Sequence, residues 1–126
     1  MRALRRKPTD AELGILRVLW ARGPSTVRQV AEQMGRDIGY TTILKLLQIM
    51  TEKRLVTRDE SSRTHIYTAA FSQEHTERQI VSDLVDRVFD GSAAKLVMQA
   101  LATTKASPEE LDEIRKLIAA KTGGTK

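Results

Sequence analysis

The sequence of 126 residues contains no cysteine, which excludes disulfides and thiolate metal sites and removes any need for an oxidising compartment. Aromatic residues are scarce, with one Trp, two Tyr and two Phe, which disfavours an aromatic-rich sandwich or barrel and favours helices. No apolar run approaches the length that spans a bilayer. The basic N-terminus is followed by no apolar region of a secretory signal. These absences predict a globular, cytoplasmic protein without membrane insertion.

Patterns that catalysis, cofactors or metals require are also missing. His65 and His75 stand ten residues apart, with no carboxylate cluster or cysteine at metal-ligand spacing. There is no glycine-rich phosphate loop, nucleophile elbow or paired-carboxylate arrangement. We therefore expect no enzyme, no catalytic residue, no cofactor and no metal, and we interpret both histidines as surface or contact residues.

The net charge of +5 is distributed unevenly along the chain. Residues 1–71 carry 13 Lys or Arg against 7 Asp or Glu, whereas residues 72–126 carry 8 against 9. A basic excess confined to one part of the chain indicates a surface for a polyanion rather than a general solubility charge. A membrane surface is the competing anion, but the polar faces are not the Lys-rich, Trp-anchored kind of an interfacial helix.

Residues 39–54 are predicted to form a helix with two different faces. Apolar side chains recur at i, i+3, i+4 and i+7 and should be buried: Ile43, Leu46, Leu47 and Met50. The opposite face carries Thr41, Lys45, Gln48 and Glu52. Such a face fits a DNA major groove, where threonine methyls meet thymine methyls and Lys or Gln meets base edges or phosphate. Taken alone, the stretch fits an ordinary amphipathic core helix equally well.

A capped helix is predicted to open the fold. Thr9 and Glu12 form a capping box, and Gly23 with Pro24 ends the element. Its apolar stripe consists of Leu13, Leu16, Leu19 and Trp20. Because Trp20 shares that stripe with three leucines, we interpret it as a core residue rather than a surface stacking residue.

A second, shorter helix is predicted to begin at a Ser25 cap and to end at Gly35. Its apolar face consists of Val27, Val30, Ala31 and Met34. Only residues 36–39 separate it from the 39–54 helix, and such a short connection is typical of a helix-turn-helix.

Beyond Arg54 the pattern changes from helical to extended. Residues 55–59 and 64–70 are rich in Val, Thr, Ile and Tyr, and residues 60–63 have turn composition, so a β-hairpin is predicted. Period-2 alternation leaves open whether Ile66 or Tyr67 faces the core. The hairpin is basic, with Arg54 and Arg58 on its first arm, Arg63 at its turn and His65 on its second arm. Three helices followed by a basic hairpin predict a winged helix-turn-helix, which strengthens the DNA interpretation of the 39–54 helix.

Three amphipathic helices are predicted to follow, giving a mainly α fold with one small hairpin. They begin after Ser72, at Ala93 and after Ser107, and residues 122–126 are expected to fray. They are too few and too short to enclose their own apolar faces, which either fold back on the winged helix or, as we favour, pack on a second copy of the chain. Residues 1–71 are then a DNA-binding domain and residues 72–126 a dimerisation region. The predicted dimer contacts are Ile80, Leu84, Val88, Leu96, Leu101, Leu111, Ile114, Leu117 and Ile118.

With these elements in order, residues 8–121 resemble the penicillinase-repressor (BlaI/MecI-type) family of winged-helix transcriptional regulators. The likeness lies in element order and in four local patterns: LGILRVLW at residues 13–20, YTT at 40–42, LVTR at 55–58 and THIY at 64–67. The resemblance implies a homodimeric repressor whose winged helices bind inverted repeats in promoters. The predicted DNA-binding residues are Arg28, Tyr40, Thr41, Thr42, Lys45, Gln48, Arg63 and His65.

Within that set, the resemblance places Thr41, Thr42 and Lys45 at base edges or adjacent phosphates. Packing at the helix N-terminus is the alternative for Thr42. Arg28, Arg63 and His65 are predicted to clamp the DNA backbone, on the basis of charge and location.

The sequence departs from the family at two points. Members that respond to β-lactams are cleaved at an Asn-Phe bond after a membrane-bound sensor is triggered, and the aligned pair here is Gln99-Ala100. The resemblance thus leaves room for a sensor protease as a partner but does not extend to its cleavage site. Copper-responsive relatives carry a cysteine-rich C-terminus, which this chain lacks. The rival interpretation of the whole chain is a winged-helix interaction module that docks an acidic protein partner without specific DNA binding.

Overall fold

The computed structural model describes residues 7–35 and 37–124. In these residues the chain forms six α-helices and one antiparallel hairpin of two strands, as the sequence predicts. The elements are α1 Asp10–Arg22, α2 Val27–Met34, α3 Tyr40–Glu52, β1 Val56–Asp59, β2 Ile66–Ala69, α4 Gln73–Arg87, α5 Ala93–Thr103 and α6 Pro108–Gly124. The chain divides into two compact units, Met1–Asp83 and Leu84–Lys126, and the division falls within α4. The predicted domain boundary between residues 71 and 72 stays a prediction.

The predicted capping box of α1 is present. The Glu12 backbone N–H donates to Thr9 Oγ1 over 3.2 Å, and the Thr9 N–H donates to Glu12 Oε1 over 2.9 Å. Two of the first orphan N–H groups are thereby satisfied, and Gly23 at φ 93° ends the helix.

The predicted cap of α2 was wrong by one residue. Thr26, not Ser25, is the N-cap, and it exchanges hydrogen bonds with Gln29 in a second capping box. Ser25 cannot take that role because its backbone is already paired with Tyr67. Its N–H donates to the Tyr67 carbonyl over 2.9 Å, and the Tyr67 N–H donates to the Ser25 carbonyl over 2.8 Å. This bridge fastens the hairpin to the entrance of α2.

The core of the first unit lies between α1, α2, α3 and the hairpin. From α3 it takes Ile43, Leu47 and Met50, each fully buried, whereas Leu46 of the predicted stripe is only partly buried at its edge. Burying one such side chain stabilises the fold by about 1.5–3 kcal/mol. The remaining buried apolar residues are Ile15, Leu16, Leu19, Val27, Val30, Leu55, Val56 and Tyr67. The apolar stripe of α3 is thus its inner face, as predicted.

Two aromatic residues behave differently from one another in this core. Trp20 packs against its edge, partly buried as a core residue, and its indole Nε1–H donates to the Phe71 carbonyl over 2.9 Å. Tyr67 is fully buried, which settles the open question of the second strand: Tyr67 faces inward, while Ile66 is only partly covered. In the ladder Tyr67 stands opposite Arg58.

A buried ion pair that the sequence did not predict joins α1 to the end of α3. Lys53 Nζ lies 2.9 Å from both carboxylate oxygens of Glu12. The Glu12 side chain is 2% exposed and that of Lys53 is 31% exposed, so the carboxylate depends on this ammonium and on the Thr9 N–H for compensation. Lys53 is also the C-cap of α3, where a cation favours the helix dipole.

Immediately after this cap, α3 ends in a Schellman motif with an unusual residue. The Leu55 N–H donates to the Met50 carbonyl over 2.9 Å and the Arg54 N–H to the Thr51 carbonyl over 3.1 Å. Arg54 must adopt φ 67° to close this turn, a conformation that favours glycine. The turn returns the chain directly into β1.

In the second unit, the apolar faces of the helices are not enclosed. No residue of α5 is buried, and Met98, Leu117 and Ile118 expose more than half of their surface. Ser107 and Glu110 form the predicted start of α6. The prediction of a frayed tail was wrong for residues 122–124, because α6 continues to Gly124. Residues 125 and 126 lie outside the described part of the chain, as do the basic residues 1–6 and Arg36.

Replacing Arg54 with glycine should stabilise the first unit. A left-handed residue with a Cβ costs roughly 1–2 kcal/mol, whereas glycine loses about 0.5–1 kcal/mol more conformational entropy on folding. We therefore expect Arg54→Gly to raise the free energy of unfolding by about 0.5–1 kcal/mol, measured by urea unfolding with the fluorescence of the single tryptophan, Trp20. Arg54→Ala keeps the Cβ and should give no gain. Equal stabilisation by both variants would contradict backbone strain as the cause.

Removing the ammonium of Lys53 should destabilise the same unit. Lys53→Ala leaves the Glu12 carboxylate buried without its cation, and we expect a loss of about 2 kcal/mol, below the roughly 3–5 kcal/mol of a fully buried pair because Lys53 is 31% exposed. The control is Arg78→Ala, whose pair with Glu74 is exposed on both sides and should contribute under about 0.5 kcal/mol. Similar losses in the two variants would show that the buried pair contributes no more to stability than an exposed one.

Candidate nucleic-acid interface

The outward face of α3 is polar and open to solvent. Because Ile43, Leu47 and Met50 are fully buried, the side of the helix opposite them must point away from the core. Three predicted site residues, Thr41, Lys45 and Gln48, lie on that side and are exposed, and Thr42 is exposed on the flank of the helix beside them. The structure therefore places them where a ligand can reach them, and their contact with DNA stays a prediction.

The N-terminus of α3 carries no side-chain cap. Gly39 is the N-cap and offers no side chain, so the first N–H groups of the helix have no side-chain acceptor of the kind that Thr9 and Thr26 give α1 and α2. Uncapped N–H groups and the positive end of the helix dipole favour a negative group at this point. Tyr40, Thr41 and Thr42 form the first turn and share that environment.

The other four predicted residues line a single groove of about 450 Å³. Arg28 comes from the first turn of α2, Tyr40 from the start of α3, and Arg63 and His65 from the loop between the strands. The rest of the lining consists of Thr26, Val27, Leu44, Thr64 and Tyr67. None of these lining residues is acidic. Segments distant in sequence thus meet in a cationic groove with hydroxyl groups, a combination that suits a phosphate oxygen.

Arg28 and Tyr40 contact each other across this groove. The Arg28 guanidinium carbon lies 5.7 Å from the centroid of the Tyr40 ring, within the range of a cation–π interaction. Such a contact restrains a long side chain and still leaves its N–H donors free for an anion. Tyr40 itself is 48% exposed, so the pair lies at the groove's open side.

The arginines of the hairpin have different environments. Arg58 donates to Glu60 Oε2 over 2.6 Å, and its hydrogen bonds to Tyr67 and to Glu60 raise the pKa of the guanidinium above its usual value. The Arg58 guanidinium therefore interacts with other residues of the hairpin. Arg63 is exposed at the turn and lines the groove. This contrast supports the choice of Arg63, rather than Arg58, as the hairpin's binding residue.

The turn that carries Arg63 is braced by local hydrogen bonds. The Ser61 N–H donates to Asp59 Oδ1 over 2.9 Å, and this bond lowers the pKa of the Asp59 carboxyl below its usual value. The Ser62 hydroxyl donates to the Thr64 carbonyl over 2.8 Å. The loop from β1 to β2 therefore has a defined shape that presents residues 63–65 on one side.

Sequence reasoning missed Thr26, Leu44 and Thr64 as lining residues. Thr26 was overlooked because the cap was assigned to Ser25, although a Thr followed three residues later by Gln is itself a capping signal. Leu44 lies beside the polar face of α3 and is partly buried, so helical periodicity alone assigns it to neither side. Thr64 was included in the strand, which in fact begins at Ile66.

A sequence profile of the penicillinase repressor family matches residues 8–120. The chain belongs to the penicillinase repressor family. This family consists of transcriptional repressors and not of enzymes, which confirms the resemblance seen in the sequence.

Individual relatives within the family are distant. The transcriptional regulator BlaI of Mycobacterium tuberculosis is 27% identical over 113 residues, which cover 87% of this chain and 81% of that protein. The penicillinase repressor of Bacillus licheniformis is 20% identical over 87% of this chain and 88% of its own. The methicillin resistance regulatory protein MecI of Staphylococcus aureus is 19% identical over 87% and 91%.

Two solved structures share the fold. A transcriptional regulator of Thermotoga maritima aligns with a TM-score of 0.52 at 16% identity, covering 99% of this chain and 83% of that one. Overoxidized AbfR, crystallised bound to DNA, aligns with a TM-score of 0.50 at 20% identity, covering 82% and 80%. At such identities both likenesses concern the fold alone.

The nine predicted dimer contacts in the tail helices are all at least partly exposed in the single chain. Leu84, Val88, Leu101, Leu117 and Ile118 are exposed, and Ile80, Leu96, Leu111 and Ile114 are partly buried. Gln99 and Ala100, the pair aligned with the family's cleavage bond, are exposed within α5.

Among the described residues, no group of three or more His, Cys, Asp or Glu is arranged to hold a metal ion. None of the helices in that part of the chain has both the length and the apolar character to cross a bilayer.

Proposed function

We propose that this protein is a sequence-specific transcriptional repressor that binds palindromic promoter operators as a homodimer. The observation that carries the proposal is the exposed Thr41, Thr42, Lys45 and Gln48 face of a helix whose opposite side is fully buried. Membership of a repressor family and the DNA-bound state of AbfR support it. Its place of action is then the cytoplasm, where a bacterial repressor meets its promoter.

Base recognition falls to the outward face of α3. An α-helix fits the major groove of B-DNA, and 13 residues extend for roughly 20 Å. The Lys45 ammonium reaches guanine O6 and N7 or an adjacent phosphate, the Gln48 amide suits adenine, and the Thr41 and Thr42 methyls suit thymine. Polar side chains of varied chemistry are what distinguishes this face from a merely solvated one.

Backbone binding falls to the groove beside α3. With α3 in the major groove, the flanking phosphates approach Arg28, Arg63 and His65, which come from α2 and the hairpin loop. Such contacts fix register and orientation without reading sequence. They also make affinity fall steeply with salt, because each neutralised phosphate releases condensed counterions.

We assign dimerisation to the tail helices α4, α5 and α6. Met98, Leu117 and Ile118 are 67%, 59% and 57% exposed, and large apolar side chains so open to water favour association. A two-fold dimer presents two α3 helices to two half-sites about 34–36 Å apart. Each α3 helix contacts only a few base pairs, and binding to both half-sites together gives the dimer its specificity.

Selection from a random duplex library should enrich an inverted repeat, and Lys45→Ala should weaken binding to the selected duplex by about 1–3 kcal/mol per α3 helix. The matched control is Lys116→Ala, a lysine of α6 that is paired with Asp112 and should not affect binding. Electrophoretic shift at several salt concentrations measures both. Equal affinity for selected and scrambled duplexes at physiological salt would contradict specific repression and favour the protein-interaction module.

Sedimentation at micromolar concentration should give twice the monomer mass of 14.1 kDa. Leu117→Glu should yield monomers, because it places a charge on a 59% exposed apolar position of the proposed contact. Lys116→Glu, on the polar side of the same helix, should remain a dimer. A wild-type mass near that of the monomer would contradict the homodimer.

A further inference from the structure

The groove between α2, α3 and the hairpin loop holds one histidine beside two arginines. His65 is half-buried there, and Arg28 and Arg63 line the same groove. The other polar lining residues are hydroxyl-bearing, with Thr26 and Tyr40 from the helices and Thr64 and Tyr67 from the hairpin. The residues that line the groove together with His65 are therefore positive or neutral.

The acidic residues of the hairpin loop are committed to other partners. Glu60 accepts a hydrogen bond from Arg58 Nε over 2.6 Å, and Asp59 accepts one from the Ser61 N–H over 2.9 Å. That bond lowers the pKa of the Asp59 carboxyl below its usual value, so Asp59 stays ionised throughout the neutral range. Neither acid is among the lining residues.

The geometry points to proton-coupled DNA binding, in which His65 takes a proton from solvent as a DNA phosphodiester enters the groove between Arg28 and Arg63. This inference rests on the proposed function and adds a form of regulation to it. Histidine is the side chain whose charge changes between about pH 5 and 8. A phosphate bound in the groove places a negative charge beside the imidazole and favours the imidazolium.

The sign of the effect follows from linkage. Because the complex holds more protons than the free protein and DNA, a fall in pH must favour the complex, and DNA binding must in turn favour protonation. Affinity is therefore expected to rise as pH falls. The added charge neutralises part of a phosphate, so the dependence of affinity on salt must steepen at the same time.

The test uses the full chain and a fluorescently labelled duplex of mixed sequence, because backbone contacts need no operator. Binding is measured by anisotropy at pH 8 and pH 6 over a series of salt concentrations. For the wild type we expect affinity to rise at least roughly threefold toward pH 6, the size of one ionic contact at a partly exposed site. Calorimetry at pH 7 in two buffers of different ionisation enthalpy should show proton uptake on binding.

Three variants separate His65 from other causes. His65→Gln should bind with no pH dependence and no proton uptake, and His65→Lys should bind at pH 8 as tightly as the wild type does at pH 6. His75→Gln is the matched control: the only other histidine of the chain, it stacks on Phe71 at a centroid distance of 4.8 Å and should leave the pH response unchanged. Trp20 fluorescence checks that each variant is folded.

A pH response that persists in His65→Gln, or one that disappears in His75→Gln, would overturn the inference. So would a wild type whose affinity and proton uptake do not change with pH. In each of these cases the proposed function stands as long as the duplex is bound. Failure of every form to bind any duplex at low salt would instead contradict the proposed function itself.

Discussion

The burial of one side of α3 is the constraint on which the rest of the structure depends. Ile43, Leu47 and Met50 are fully enclosed by α1, α2 and the hairpin, so rotation of α3 about its axis would expose apolar surface at a cost of several kcal/mol. The helix therefore presents one fixed face to solvent. Any recognition by that face depends on side chains that make no contribution to its placement.

Polar interactions secure the two sides of this arrangement. At the C-terminal end of α3, Lys53 reaches the buried Glu12 carboxylate, which simultaneously completes the capping box of α1. On the other side, the backbone bridge between Ser25 and Tyr67 fastens the hairpin to the entrance of α2. The groove exists because this bridge brings residues 63–65 next to Arg28 and Tyr40. A helix face for bases and an adjacent groove for phosphate are thus two consequences of one packed core.

Local patterns predicted much of this fold. Helical and alternating periodicity placed the helices and the hairpin, and the capping signals at Thr9 and Ser107 identified two helix starts, because such signals are encoded within a few residues. Features that join distant segments were missed. The Glu12–Lys53 pair spans 41 residues, and the backbone pairing of Ser25 leaves no signal in its side chain. Tyr67 could not be oriented because alternation does not say which side of a strand is covered.

The candidate site likewise contains residues that local patterns predict and residues whose proximity only the tertiary structure shows. Helical periodicity alone places Thr41, Lys45 and Gln48 on one face of a single helix, so these residues could be proposed from the sequence. That Arg28, Arg63 and His65 share one groove, while Arg58 is engaged by Glu60 and Tyr67, depends on tertiary contacts. The tail contains apolar side chains that are exposed in the single chain, and family membership supports a repressor without identifying its operator.

A residue-by-residue map of the surface that DNA touches tests most directly whether the outward face of α3 is the recognition surface. Amide chemical shifts of the isotope-labelled full chain, followed by NMR during titration with a short duplex, provide that map. The largest changes should fall on residues 40–48 of α3 and on residues 63–65 of the hairpin loop. Changes confined to α5 and α6, with α3 unaffected, would contradict DNA recognition by α3.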